Sequence, residues 1–298
     1  MIENKAGVRR DAGAMPDCAV KSAGKNSVVL ETRNTELEQI FTCGQCFRWK
    51  RIGNVWQGTA GGRFLTAEQR GNEIILTGAG KAEFDAFWRV YFDFDTDYTG
   101  IKNELSGIDT NLAKAVDFGG GIRLLRQEPF ETLISFIISA NNNIPRISRC
   151  VEALCRAYGA FIGEEPVSGQ PVFAFPSPEA LAGTTPEEVS ELTHAGYRCP
   201  YIVNAAKRFI ERGGDLSDPE SYPGVGPKVA ACIKLFTGAD TESFPVDVWV
   251  RRLIGELYFG NGETDPDAGA VRKFVSEHFT RLGGYAQQYL FYWRRAQG

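Results

Sequence analysis

The 298-residue chain has only two histidines, His194 and His278, and no second cysteine pair to complete Cys43 and Cys46. One Cys-x-x-Cys is half of a zinc or redox site, so no metal is expected there. Four closely spaced cysteines are missing near the C-terminus, which disfavours an iron–sulfur cluster. The seven cysteines are odd in number and form no disulfide-like framework, which favours a reducing, intracellular compartment. No apolar run approaches a membrane span, and the first residues lack the hydrophobic core of a signal peptide, so neither insertion nor secretion is expected. Excess positive charge is also missing, the net charge being −4. That argues mildly against a nucleic-acid binder. Any such affinity must come from one-sided charge, backbone amides and stacking rather than global attraction.

What is present is the composition of a soluble globular protein, 43% hydrophobic and 23% charged, with room for two domains. Residues 1–26 are Gly/Ala-rich and aperiodic and read as a flexible tail. Between Ser27 and Gly78, short apolar runs alternate with Gly53-Asn54, Gly61-Gly62 and Gly71-Asn72. Those are hairpin signals, so a small antiparallel sheet is expected. After Gly80 the pattern turns helical, with Phe84, Phe87, Trp88 and Phe92 on one stripe, and beyond Gly119–Gly121 nearly everything reads as helix. The run Phe130 to Ile138 is apolar on most sides and should be the central buried helix. The expectation is an α+β protein: a tail (1–26), an antiparallel sheet domain with helices (27–118) and a larger all-helical domain (119–298).

One stretch carries chemistry. Pro223-Gly224-Val225-Gly226 is too rich in glycine and proline for helix interior, whereas Pro227 suits a first helical position. Val229 to Phe236 reads as the helix that follows. Free backbone amides then point outward at a helix N-terminus, a ready anion site. Lys228 lies in that first turn, where the helix dipole disfavours the ammonium and favours the free amine a nucleophile needs. A tight turn with a surface lysine would show the same pattern. Asp247, nineteen positions on, precedes the apolar run Val248, Val250, Leu253 and Ile254, where it suits an N-cap. Facing each other across a cleft, the amine could attack an anomeric carbon and the carboxylate could stabilise an oxocarbenium-like transition state.

Pro223 to Lys228, with Pro245-Val246-Asp247, resembles the helix-hairpin-helix DNA glycosylases that use a lysine, specifically the 8-oxoguanine DNA glycosylase/AP lyase family. Further matches, in family order, are Cys43 to Trp49, Gly121 to Pro129, Ser135 to Ile144 and Gly196-Tyr197-Arg198. The resemblance implies a sheet domain packed on a helical glycosylase domain, with Lys228 and Asp247 catalytic. It implies that Cys232 and Phe291 sandwich an extruded base, that Gln287 reads its Watson–Crick edge and that the Gly44 carbonyl senses the hydrogen on N7 of 8-oxoguanine. Asn141 would fill the vacated place in the duplex. Arg146 and Arg198 would read the orphaned cytosine, Tyr197 would wedge the stack, and Gly224 and Gly226 would hold a backbone phosphate. Cys232, Phe291 and the arginines also suit, respectively, core packing and a solvated surface. No cofactor is required, the partner is double-stranded DNA containing 8-oxoguanine, and a monomer is expected.

Two departures stand out. Trp249 occupies a position where the family commonly has a phosphate-holding histidine, and Gly213 to Tyr222 leaves about one turn for the first helix of the helix-hairpin-helix. A glycosylase of the same superfamily acting on another damaged base, and a non-catalytic DNA-binding module, are the competing expectations.

Overall fold

Apolar residues alternate at Val28 and Leu30, and again at Ile74 and Leu76, so each strand turns one face inward. The computed structural model describes residues 17–166, 168–260 and 265–297. Its first strands are β1 (Cys18–Ala23), β2 (Ser27–Thr32), β3 (Trp49–Ile52), β4 (Val55–Ala60), β5 (Arg63–Arg70) and β6 (Glu73–Thr77). They form one antiparallel sheet in the order β1-β2-β6-β5-β4-β3. The Trp49 indole lies flat over Gly58, where a Cβ would stand 2.3 Å from the ring, so no other residue fits beneath it. Trp49 stacks on Phe41 at 4.1 Å and donates from Nε1 to the Tyr91 hydroxyl at 2.8 Å.

The expected tail of 1–26 is corrected over its last part. Cys18–Ala23 is an edge strand paired with β2, and residues 1–16 lie outside the described residues. Asp17, just before this strand, is buried and pairs with the fully buried Arg123 at 3.1 Å. Arg123 also donates to the carbonyls of Phe92, Asp93 and Thr96, which meets the hydrogen-bonding demand of a guanidinium taken out of water. A strand of one buried and several exposed positions carries little pattern of its own, and long-range pairing decides it.

The segment Gly121 to Glu128 joins the two parts of the molecule. Leu125 packs into the sheet's cluster and Leu124 into the helical one. In the helical part Pro129–Ser139 is central, with Phe130, Leu133, Ile134, Phe136, Ile137 and Ile138 all buried. Ile144–Tyr158, Cys199–Glu211 and Pro227–Thr237 pack against it. This part is not wholly helical, since Phe161–Glu164 (β7) and Pro171–Phe173 (β8) form a two-stranded ribbon. The turn before the hairpin, Pro219–Ser221, is one 3-10 turn, as the short segment implied. No helix among the described residues is long and apolar enough to cross a membrane.

Candidate active site

The hairpin follows from its residue types. Gly224 takes φ +81°, a conformation that costs glycine least, and Val225 N–H donates back to the Tyr222 carbonyl at 3.1 Å. Gly226 caps the Pro227–Thr237 helix with no side chain of its own, and Pro227 is its first residue. The Gly224 and Gly226 N–H groups donate to no group among the described residues. Lys228 is half-buried, with Nζ 5.7 Å from the centroid of the Phe136 ring.

Asp247 is the N-cap of Val248–Ile254, and its Oδ1 accepts from Val250 N–H at 2.8 Å. Capping does not remove it from the cleft. Lys228 and Asp247 line one cavity of about 60 Å³ together with Gly44, Cys232, Gln287 and Phe291. Burial pushes the Cys232 thiol above its usual range, while the charges of Lys228 and Asp247 act on it in opposite senses because both lie close. The remaining walls, among them Phe136, Phe236 and Gln288, are buried. As it stands in the DNA-free protein, that volume is the room of a few water molecules. Phe291 is partly exposed, like Gly44, Lys228 and Asp247, and is braced edge-on by Trp249 at 5.0 Å and 75°. Trp249 therefore touches a proposed stacking ring.

Gly44 enters the cavity at φ +89°, with Ile144, Phe291 and Arg295 each 3.6 Å from where its Cβ would be. Two residues outside the sequence expectation hold that loop. Gln45 is fully buried, donating to the carbonyls of Ile40 and Arg123 and accepting from Leu125 N–H at 2.8 Å. Arg295, from the last helix, donates to the Thr42 carbonyl and lies over the Phe291 ring. Burial pushes the Cys43 thiol up to about 11.

A second group surrounds the turn at residues 140–143. Asn141 is exposed at φ +48°, and Asn143 caps the helix that follows. Arg146 is exposed and donates to the His194 carbonyl at 2.8 Å. Tyr197 is 57% exposed, with its hydroxyl 3.3 Å from the Ala140 carbonyl. Arg198, expected to read a base, is engaged within the protein in the DNA-free structure. It is buried, and its guanidinium is taken up by the carbonyls of Ala140, Asn141 and Ala195. In this conformation it shapes the turn that presents Asn141, because a buried guanidinium needs its donors satisfied.

Known proteins match this architecture. Residues 27–133 match the model of the 8-oxoguanine DNA glycosylase N-terminal domain, and residues 134–279 that of the HhH-GPD superfamily of base excision DNA repair proteins. A probable N-glycosylase/DNA lyase of Methanothermobacter thermautotrophicus is 32% identical over 70% of this chain and 72% of its own length. An N-glycosylase/DNA lyase of Arabidopsis thaliana is 30% identical over 88% of this chain and 78% of its own. The crystal structure of Clostridium acetobutylicum 8-oxoguanine glycosylase/lyase, bound to double-stranded DNA with cytosine opposite 8-oxoguanine, superposes with a TM-score of 0.88. It is 37% identical, and the match covers 94% of this chain and 99% of that one. By these matches the chain belongs to the 8-oxoguanine DNA glycosylase family of helix-hairpin-helix base excision repair proteins.

Proposed function

We propose that this protein excises 8-oxoguanine opposite cytosine from duplex DNA and then cleaves the strand, as a bifunctional N-glycosylase and AP lyase. The observation that carries the reading is the single cavity shared by Lys228, Asp247, Gly44, Cys232, Gln287 and Phe291. Lys228 Nζ, as free amine, attacks C1′ of the extruded nucleotide while the glycosidic bond breaks and the base leaves with its electron pair. Asp247 stabilises the positive charge that develops on the sugar. Ring opening gives a Schiff base on Lys228. Loss of a proton from C2′ then expels the 3′ phosphate by β-elimination. The hairpin amides and Tyr197 hold and bend the duplex, and Cys232, Phe291 and Gln287 hold the base.

The cleft is assigned to the junction of residues 27–118 with 119–298, because Cys43 and Gly44 line it together with residues of the later part; the two hydrophobic clusters divide elsewhere, with Tyr98 to Val116 in the helical one. The substrate would place the enzyme inside the cell. The test is borohydride trapping on 8-oxoguanine duplex. The wild-type protein is expected to form a covalent adduct, and Lys228→Gln to bind the duplex without forming one. An adduct of equal yield in that variant removes Lys228 from the chemistry.

A further inference from the structure

Tyr201 has no part in the reaction just described, yet it stands between two elements that the reading above assigns to DNA. It lies in the first turn of the Cys199–Glu211 helix and is 40% exposed. On one side the Tyr197 ring meets it edge-on, with centroids 6.5 Å apart at 80°. On the other side the hairpin backbone is seated against it, since a Cβ on Gly224 would lie 2.7 Å from both Cβ and Cγ of Tyr201. Tyr197 is itself tied to the Asn141 turn through Ala140, and the Arg198 guanidinium lies over its ring at 4.4 Å. The Tyr201 ring is thus the wall shared by the Tyr197 wedge and the hairpin from which the Lys228 helix starts. Its hydroxyl makes no hydrogen bond among the described residues, so the contacts that matter are those of the ring.

We infer that Tyr201 is a positioning residue for lesion recognition. Its ring sets the spacing between the wedge and the backbone-gripping hairpin, so that the nucleotide extruded at the bend is presented to Lys228. Gripping and wedging act on the same short piece of duplex. A relative shift of about 1 Å between them is costly even when each contact survives, because productive geometry tolerates little displacement. The inference rests on the proposed glycosylase function and concerns only how its DNA-holding parts are held in register.

The experiment compares wild type, Tyr201→Phe, Tyr201→Ala, Tyr197→Ala and the double alanine variant. Two quantities are read: affinity for a duplex carrying a tetrahydrofuran abasic analogue, and single-turnover excision of 8-oxoguanine opposite cytosine and opposite adenine. Tyr201→Phe should stay within about two-fold of wild type. Tyr201→Ala should weaken analogue binding roughly three- to ten-fold, the value of one aromatic contact, and narrow the cytosine-over-adenine preference. Added to Tyr197→Ala, it should narrow that preference no further. Equal slowing on both duplexes with a lowered melting temperature would mean a purely structural role and overturn the inference. So would Tyr201→Phe behaving like Tyr201→Ala, because the hydroxyl would then carry the effect. Failure of the wild-type protein itself to release 8-oxoguanine sinks the functional reading and this inference with it. An active wild type with an unaltered Tyr201→Ala sinks this inference alone.

Discussion

At Asp247 one carboxylate both caps a helix and lines the cavity of Lys228, and the two roles can be separated by substitution. Asparagine caps about as well as aspartate but carries no charge. Asp247→Asn should therefore melt close to wild type while single-turnover excision falls on the order of 10²- to 10³-fold, the usual cost of losing one preorganised electrostatic partner. Asp247→Ala should lose in addition about 1 kcal/mol of stability, read from the denaturant midpoint. The placing of Lys228 and Asp247 at two helix starts was legible in the sequence because their signals are local: a proline-and-glycine turn before one helix, and a polar cap before the next. Gln45 and Arg295 were not. Gln45 bonds to Arg123 and Leu125, and Arg295 to Thr42, from opposite regions of the chain. Short-range pattern carries no trace of such partners. Arg198 was named for a residue type that suits a base edge, while the three carbonyls that take up its guanidinium in the DNA-free fold left no trace in the local pattern.

Among the elements, the hairpin is the one whose geometry yields to a single methyl group. A Cβ on Gly224 would both strain the positive φ and press on Tyr201 at 2.7 Å. Gly224→Ala is expected to weaken lesion-duplex binding by about ten-fold or more, corresponding to roughly 1 to 2 kcal/mol of strain, while saturating enzyme still yields the borohydride adduct. A titration by fluorescence anisotropy beside the trapping reaction checks both halves. The hairpin, the central helix and the strands from β2 to β6 were readable, because punctuation and periodicity lie within a few residues of each other. Strand β1 and the β7–β8 ribbon were not, because each has few buried positions and is defined by its pairing partner. The first helix of the motif was read correctly as a single turn, since proline and glycine density leaves no length for more.

For the molecule as a whole, acidity at the junction of sheet and helices sets a pH dependence of stability. Burial pushes the Glu131 carboxyl up to about 7 from its ordinary 4.5, although Arg48 stands 3.7 Å away, and Glu128 is shifted in the same direction by burial. A raised folded-state value means that the unfolded chain gives up its proton first as pH rises. The contribution of Glu131 to stability is therefore full below about pH 4.5, falls across the window up to about 7 and levels off above it, by up to roughly 3 kcal/mol. Denaturant midpoints at pH 5 and pH 8 should differ in wild type and differ less in Glu131→Gln. The overall charge of −4 has a counterpart at this scale: in the proposed function the exposed hairpin amides, Tyr197 and Asn141 take the part that a basic surface takes elsewhere, a reading that came from the family resemblance and not from charge. The narrow cavity beside Lys228 bears on turnover as well. In the DNA-free protein the slot measures about 60 Å³, so free 8-oxoguanine would have to displace the partly exposed Phe291 ring to enter; the liberated base should be a poor product inhibitor, and soaking it into DNA-free crystals should leave the slot vacant.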